Sequence, residues 1–131
     1  MKRRVLRSVL MLTVVTCLLG CGQISKVRST LRKVGGETLR AEAIAACRSG
    51  FASGGVQKIA PEFWPPSVCA FEPLSLWAEP DGAYLLLDSD MDGERGIFLP
   101  RIDPEKDPVC TSKLTHEKLT TGVYWYDRKR L

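Results

Sequence analysis

The sequence has few of the residues that build metal or catalytic centres. His116 is the only histidine among 131 residues, and the cysteines beyond residue 21, which are Cys47, Cys69 and Cys110, include no closely spaced pair of the kind that binds zinc. A nucleophile elbow, a glycine-rich phosphate loop and a paired metal-ligand motif are also missing. His116 stands in the polar stretch "LTHEKLT", where we expect a solvent-facing side chain. We therefore predict that the protein is not an enzyme and needs no cofactor.

The sequence also lacks an excess of one charge once its first residues are set aside. The formal net charge is +4, but residues 1–20 contain four of the 19 basic side chains and none of the 15 acidic ones, so residues 21–131 are neutral. The basic footprint of a nucleic-acid-binding protein is absent, and we expect no nucleic-acid partner. Residues 21–60 are locally basic, and their basic side chains either contact anionic lipid headgroups or form a solvated helix face. These side chains include Lys26, Arg28, Arg32 and Lys33.

The apolar run near the N-terminus, Val9 to Leu19, is too short to cross a bilayer comfortably, because a spanning helix needs about 20 apolar residues. Four basic residues precede this run, namely Lys2, Arg3, Arg4 and Arg7. A basic start followed by a short apolar core is typical of an export signal.

The end of this run is more specific. The stretch "LLGC" (Leu18 to Cys21) has an aliphatic residue first, then a position that tolerates most residues, then a small residue and a cysteine. This order resembles the lipobox of bacterial lipoproteins. The resemblance covers residues 1–21 and implies that the Cys21 thiol receives a diacylglycerol, that a peptidase cuts before it, and that the new amino group is acylated. Two or three acyl chains suffice for lasting attachment. Gly22 follows the cysteine instead of aspartate, which implies the periplasmic face of the outer membrane in a Gram-negative host.

The segment after Cys21 has the spacing of one helix face, with apolar residues at Ile24, Val27, Leu31 and Val34. Gly35-Gly36 interrupts this pattern before the helix-forming stretch "ETLRAEAIAACR", so either one kinked helix or two short helices follow. We predict three parts: a signal peptide at residues 1–20, a lipid-anchored basic helical segment and flexible linker at 21–60, and a small β-rich domain at 61–131.

Strand-type runs dominate the second half of the chain, and they are "LSLWAE", "AYLLLDSD", "RGIFLPRI" and "GVYWYDR". A long polar segment, "DPEKDPVCTSKLTHEKLT", separates the last two and is predicted to be a loop. The predicted fold class is α+β, with the N-terminal helical segment packed on a small antiparallel β-meander of about four strands.

Two pairs of aromatic residues are candidates for binding a protein partner. Phe63 and Trp64 lie between prolines in "PEFWPPS", on a corner that either covers one end of the core or anchors a partner. Tyr124 and Tyr126 alternate with apolar neighbours in the last strand, so we expect one set of side chains to face the core and the two tyrosines to be visible to a partner.

The stretch "DSDMDG" is either a metal site or an acidic turn. Asp88, Asp90 and Asp92 with Gly93 match the first half of an EF-hand calcium loop, but Leu99 stands where the bidentate glutamate is needed. The other interpretation is a hairpin with Asp92-Gly93 in a two-residue type I′ turn, which places Asp90 opposite Arg95 and Leu86 opposite Leu99. Weak calcium binding by the three aspartates is the alternative function.

An exported domain lies in an oxidising compartment, so we expect one disulfide among its three cysteines. Cys69 and Cys110 stand next to proline-bearing loops and are the predicted pair, while Cys47 ends the apolar stretch "AEAIAAC" and is predicted to be buried as a free thiol. The sequence as a whole predicts a lipoprotein of the bacterial cell envelope, attached to the membrane through Cys21. Its domain is expected to bind another envelope protein, as an accessory, inhibitor or immunity-type protein.

Overall fold

Two consecutive helices form the N-terminal part of the structure, a computed structural model that describes residues 23–130. Helix α1 comprises residues 23–34, and helix α2 is Gly36–Ala46. The predicted apolar face of α1 is confirmed by its packing in the core, and it consists of Ile24, Val27, Leu31 and Val34. Gly35 separates the helices with a φ of 87°, a conformation that favours glycine, so two helices form instead of one kinked helix.

Residues 49–60, predicted to be a flexible linker, contain regular structure. Helix α3 is Arg48–Ser53, and strand β1 is Gln57–Ile59. Gly54 ends α3 in the left-handed conformation with a φ of 74°. A 3₁₀ turn at Pro61–Phe63 and the short helix α4, Pro66–Cys69, then lead into the rest of the sheet.

Six antiparallel strands form one sheet, which confirms the α+β class. After β1 come β2 (Ser75–Glu79), β3 (Gly82–Ser89), β4 (Gly93–Pro100), β5 (Leu114–Thr120) and β6 (Val123–Lys129). The four predicted strands correspond to β2, β3, β4 and β6, so the predicted number of strands is too small. The strand order is β1-β2-β3-β4-β6-β5, and the sheet is not a simple meander because β6 lies between β4 and β5.

The helices cover one face of the sheet. Arg40 on α2 donates a hydrogen bond from Nη2 to the carbonyl oxygen of Pro100 at 2.8 Å, and Ser67 on α4 donates to Glu42 on α2 at 2.6 Å. Helices and sheet share one core, in which each fully buried leucine stabilises the fold by about 1.5–3 kcal/mol. Its members include Leu39, Ala43, Val68, Leu76, Leu85, Ile97, Leu99 and Val123.

The opposite face of the sheet is covered as well. Tyr84, Phe98, Tyr124 and Tyr126 alternate with residues of the main core and form a second buried cluster. The segment between β4 and β5 reaches this face at Asp107, which accepts a hydrogen bond from the Tyr124 hydroxyl at 2.9 Å. The inner strands β2, β3, β4 and β6 therefore carry buried side chains on both faces of the sheet.

Candidate functional site

The acidic loop joins β3 to β4, as the hairpin interpretation predicts, but its turn differs from the predicted one. The carboxylate of Asp90 accepts hydrogen bonds from the backbone N–H groups of Asp92 at 2.8 Å and of Gly93 at 3.0 Å. Asp88, not Asp90, is paired with Arg95 across the two strands. The predicted two-residue turn and its register are wrong.

Gly93 and a β-bulge explain why the turn and its register differ from the prediction. A type I′ turn needs positive φ at both central residues, and Gly93 does not have one. Gly93 instead begins β4, where a Cβ atom would lie 2.2 Å from the carbonyl oxygen of Arg128 on β6. A bulge between Leu86 and Asp88 shifts the pairing, and the side chain of Asp90 binds the backbone N–H groups of the turn.

Arg95 lies against two of the three aspartates. Its guanidinium contacts the Asp90 carboxylate and lies 3.6 Å from that of Asp88. The backbone N–H of Asp92 and the guanidinium of Arg95 lower the pKa of Asp90. Within residues 23–130, no three histidine, cysteine or acidic side chains converge closely enough to hold a metal ion. A calcium ion would have to displace Arg95, and calcium binding by Asp88, Asp90 and Asp92 stays a prediction.

Phe63 and Trp64 occupy the corner between β1 and α4. The Trp64 indole Nε1 donates a hydrogen bond to the carbonyl oxygen of Ile59 at 2.9 Å, and its ring packs against the core. Phe63 has an exposed fraction of 69%. Trp64 therefore attaches the corner to β1, whereas the ring of Phe63 is exposed to solvent.

Tyr124 and Tyr126 are not available to a partner, which corrects the prediction. Each is only 2% exposed. Burial and the hydrogen bond to Asp107 raise the pKa of Tyr124 to about 12. The alternation along β6 was identified correctly, but the cover provided by the segment around Asp107 has no apolar signature in the sequence. Large apolar or aromatic residues at every position from Val123 to Tyr126, hence on both faces of one strand, are the signal that could have suggested a doubly covered sheet.

A polar network closes the same face. Arg128 donates hydrogen bonds to both carboxylate oxygens of Glu79 at 3.1 Å, and its guanidinium lies 4.7 Å from the ring centre of Tyr84. The Tyr84 hydroxyl in turn donates to Asp81 at 2.7 Å. Burial and the neighbouring carboxylates raise the pKa of Tyr84 far above its ordinary value, so the hydroxyl remains a donor at physiological pH. The sequence has no motif that points to this network.

His116 lies on β5 and packs against Phe98 and Tyr124, with ring centres 5.1 and 6.3 Å apart, so the predicted solvent-facing position is wrong. Burial and the charge of Arg128 lower its pKa. Its Nδ1 is 4.0 Å from the Cys110 sulfur, but its buried Nε2 has no hydrogen-bond partner among the described residues. A thiol and an imidazole are thus adjacent, without the third group that would orient the imidazole in a nucleophilic triad.

The predicted disulfide between Cys69 and Cys110 is not formed, since both thiols are free and exposed. Cys69 ends α4 on the helix-covered side of the sheet, whereas Cys110 lies beside His116 on the opposite side. A disulfide requires the two Cα atoms to lie within about 7 Å of each other. Two cysteines on opposite sides of the sheet do not readily meet this requirement. Cys47 is buried as predicted, and burial raises the pKa of its thiol to about 11.

The predicted signal peptide and Cys21 lie outside the described residues. In the described part of the chain, none of the helices has both the length and the apolar composition that crossing a membrane requires. Comparison of the chain with protein-family models, with curated proteins and with solved structures finds no match.

Proposed function

We propose that this protein is a lipoprotein of the bacterial cell envelope, held in the membrane by acyl chains on Cys21. The observation that carries the proposal is the order of three sequence features: a basic start, a short apolar core and the box Leu18 to Cys21. In a Gram-negative host the protein lies at the periplasmic face of the outer membrane. Its α+β domain binds another envelope protein, as an accessory, inhibitor or immunity-type protein.

Labelling of cells with a radioactive fatty acid tests the anchor. We expect label in the wild-type protein and in the Cys17→Ala control, which removes the other cysteine of the signal region. We expect none in Cys21→Ala, because this change removes the cysteine of the box, whose thiol is the proposed acylation site. Label on the Cys21→Ala protein would contradict the lipoprotein assignment.

The exposed Phe63 supports a protein-binding role for the corner between β1 and α4. Large aromatic side chains are enriched among the residues that dominate protein interfaces, and this one is held by prolines and by the Trp64 hydrogen bond, so little conformational entropy is lost on binding. Val56, the residue that precedes β1, is also exposed.

A photoreactive amino acid placed at Phe63 in living cells tests this surface. We expect one discrete protein adduct from Phe63 and none from the same reagent at Ile102, which is equally apolar and exposed. The adduct should disappear when an excess of unlabelled wild-type protein competes, and persist with Phe63→Ala competitor. Identical adducts at both positions, or only lipid adducts at Phe63, would contradict a partner site at this corner.

A further inference from the structure

The proposed lipid anchor is very close to the folded domain. Only Gly22 separates Cys21 from residue 23, where α1 begins in the described part of the chain. Since each residue spans at most about 3.6 Å, the residue that opens the first turn of α1 lies within about 7 Å of the acylated residue. The headgroup layer on each side of a bilayer is about 5–8 Å thick, so this turn is held at the membrane surface.

The start of α1 also defines which end of the sheet faces the lipid. Gln23 and Lys26 border the same cavity of about 180 Å³ as Phe71 and Leu87. Leu87 lies near the end of β3 that leads into the acidic hairpin. At the other end of α1, by contrast, a Cβ atom on Gly36 would lie 2.8 Å from Thr120, beside the turn between β5 and β6. Helix α1 therefore runs from the hairpin end of the sheet to its opposite end.

Two exposed apolar side chains lie at the hairpin end. Met91, in the turn between β3 and β4, is 92% exposed, and Leu74, just before β2, is 61% exposed. The backbone N–H of Leu74 donates to the carbonyl oxygen of Leu86 at 2.7 Å, which places Leu74 beside the start of the hairpin. Solvent-exposed apolar side chains of this size are stabilised when they enter an acyl or headgroup boundary.

The polar groups around Met91 suit a phospholipid headgroup. The cleft that it borders is lined by both basic and acidic side chains, which are Asp92, Arg95, Asp127, Lys129 and Arg130. A zwitterionic headgroup carries a phosphate and an ammonium, so it matches such a mixed lining better than a purely anionic ligand does.

We propose that Met91 at the hairpin tip and Leu74 contact the bilayer surface, so that the domain stands on the membrane with this end of the sheet against the lipid. The proposal rests on the lipid anchor at Cys21. The partner surface at Phe63 plays no part in it.

Photo-crosslinking of the full lipidated protein in vesicles of phosphatidylethanolamine and phosphatidylglycerol tests this orientation. p-Benzoylphenylalanine is placed at Met91 or, as a matched control, at Ile102. Ile102 is 77% exposed and follows β4 at the opposite end of the sheet. Because both side chains are largely in solvent, neither change disturbs the core, and unchanged melting temperatures verify this.

We expect phospholipid adducts on the Met91 variant in several-fold excess over the Ile102 variant, measured by intact-protein mass spectrometry. Equal adducts from an acylated protein would overturn the orientation and leave the anchor intact. A protein mass without acyl chains would overturn the anchor, and the orientation with it.

Discussion

Replacement of Arg128 should lower stability markedly, because its guanidinium pairs with Glu79 and lies over the ring of Tyr84. Loss of one partner of a buried ion pair costs about 3–5 kcal/mol, and a cation–π contact contributes about 0.5–1 kcal/mol. Arg128 and Glu79 are 33% and 17% exposed, so solvent screening reduces the ion-pair part to about 2 kcal/mol. With the lost contact to Tyr84, we expect Arg128→Met to lower the free energy of unfolding by about 2–3 kcal/mol.

Urea denaturation at neutral pH measures this loss. Lys129→Met is the matched control, because Lys129 is the next residue on β6 and is exposed, and we expect it to change stability by less than about 0.5 kcal/mol. A double-mutant cycle of Arg128→Met with Glu79→Gln should give a coupling energy above about 1 kcal/mol. A loss under about 1 kcal/mol for Arg128→Met, or additive effects in the cycle, would refute the role assigned to the ion pair.

Three further predictions concern other parts of the sheet. Gly96→Ala should prevent normal pairing of β3 with β4 and lower the melting temperature by at least about 10 °C, because the new Cβ would lie 1.8 Å from the carbonyl oxygen of Leu85. In the unfolded state His116 takes up a proton near pH 6.5, whereas burial and Arg128 lower the pKa of His116 in the folded state, so the stability due to neutral His116 should be fully present above this pH and decrease on acidification. Melting temperatures measured from pH 7.5 to 5 should therefore decrease less for His116→Phe than for the wild type. The same decrease in both proteins would disprove the assignment. Weak calcium binding by the three aspartates predicts that millimolar calcium raises the melting temperature of the wild type and not that of Asp90→Ala, and an unchanged wild-type melting temperature would refute it.

The elements with strong periodicity could be predicted from the sequence. The apolar spacing from Ile24 to Val34 indicates α1, and Gly35 marks its end, since a glycine is needed at a φ of 87°. The strands that contain continuous apolar runs were recognised for the same reason. Local pattern is sufficient where a segment's own side chains form the buried face.

Strands β1 and β5 could not be predicted, because their conformation depends on their neighbours. "LTHEKLT" has no clean alternation of apolar residues, yet it pairs with β6 from Leu114 opposite Arg128 to Thr120 opposite Val123. The pairing supplies the hydrogen bonds that fix the strand, and it places the partly buried His116 against Phe98. The turn at Asp90 was missed for a related reason, since the need for a glycine at position 93 comes from β6 and not from the turn itself.

The double cover of the sheet limits where a partner can bind. Helices occupy one face and the segment around Asp107 contacts the other, so a partner could reach the backbone only at the edge strands β1 and β5. The β5 edge is partly occupied, because the backbone N–H of His116 donates a hydrogen bond to the Cys110 sulfur at 3.4 Å. Charged side chains oppose strand addition at β5, where Glu117 also forms an ion pair with Arg28 of α1 at 3.6 Å. The edge at β1 is bordered instead by Val56 and Phe63, both apolar and exposed. This contrast between the two edges favours β1 and its aromatic corner as the binding surface for the proposed envelope partner.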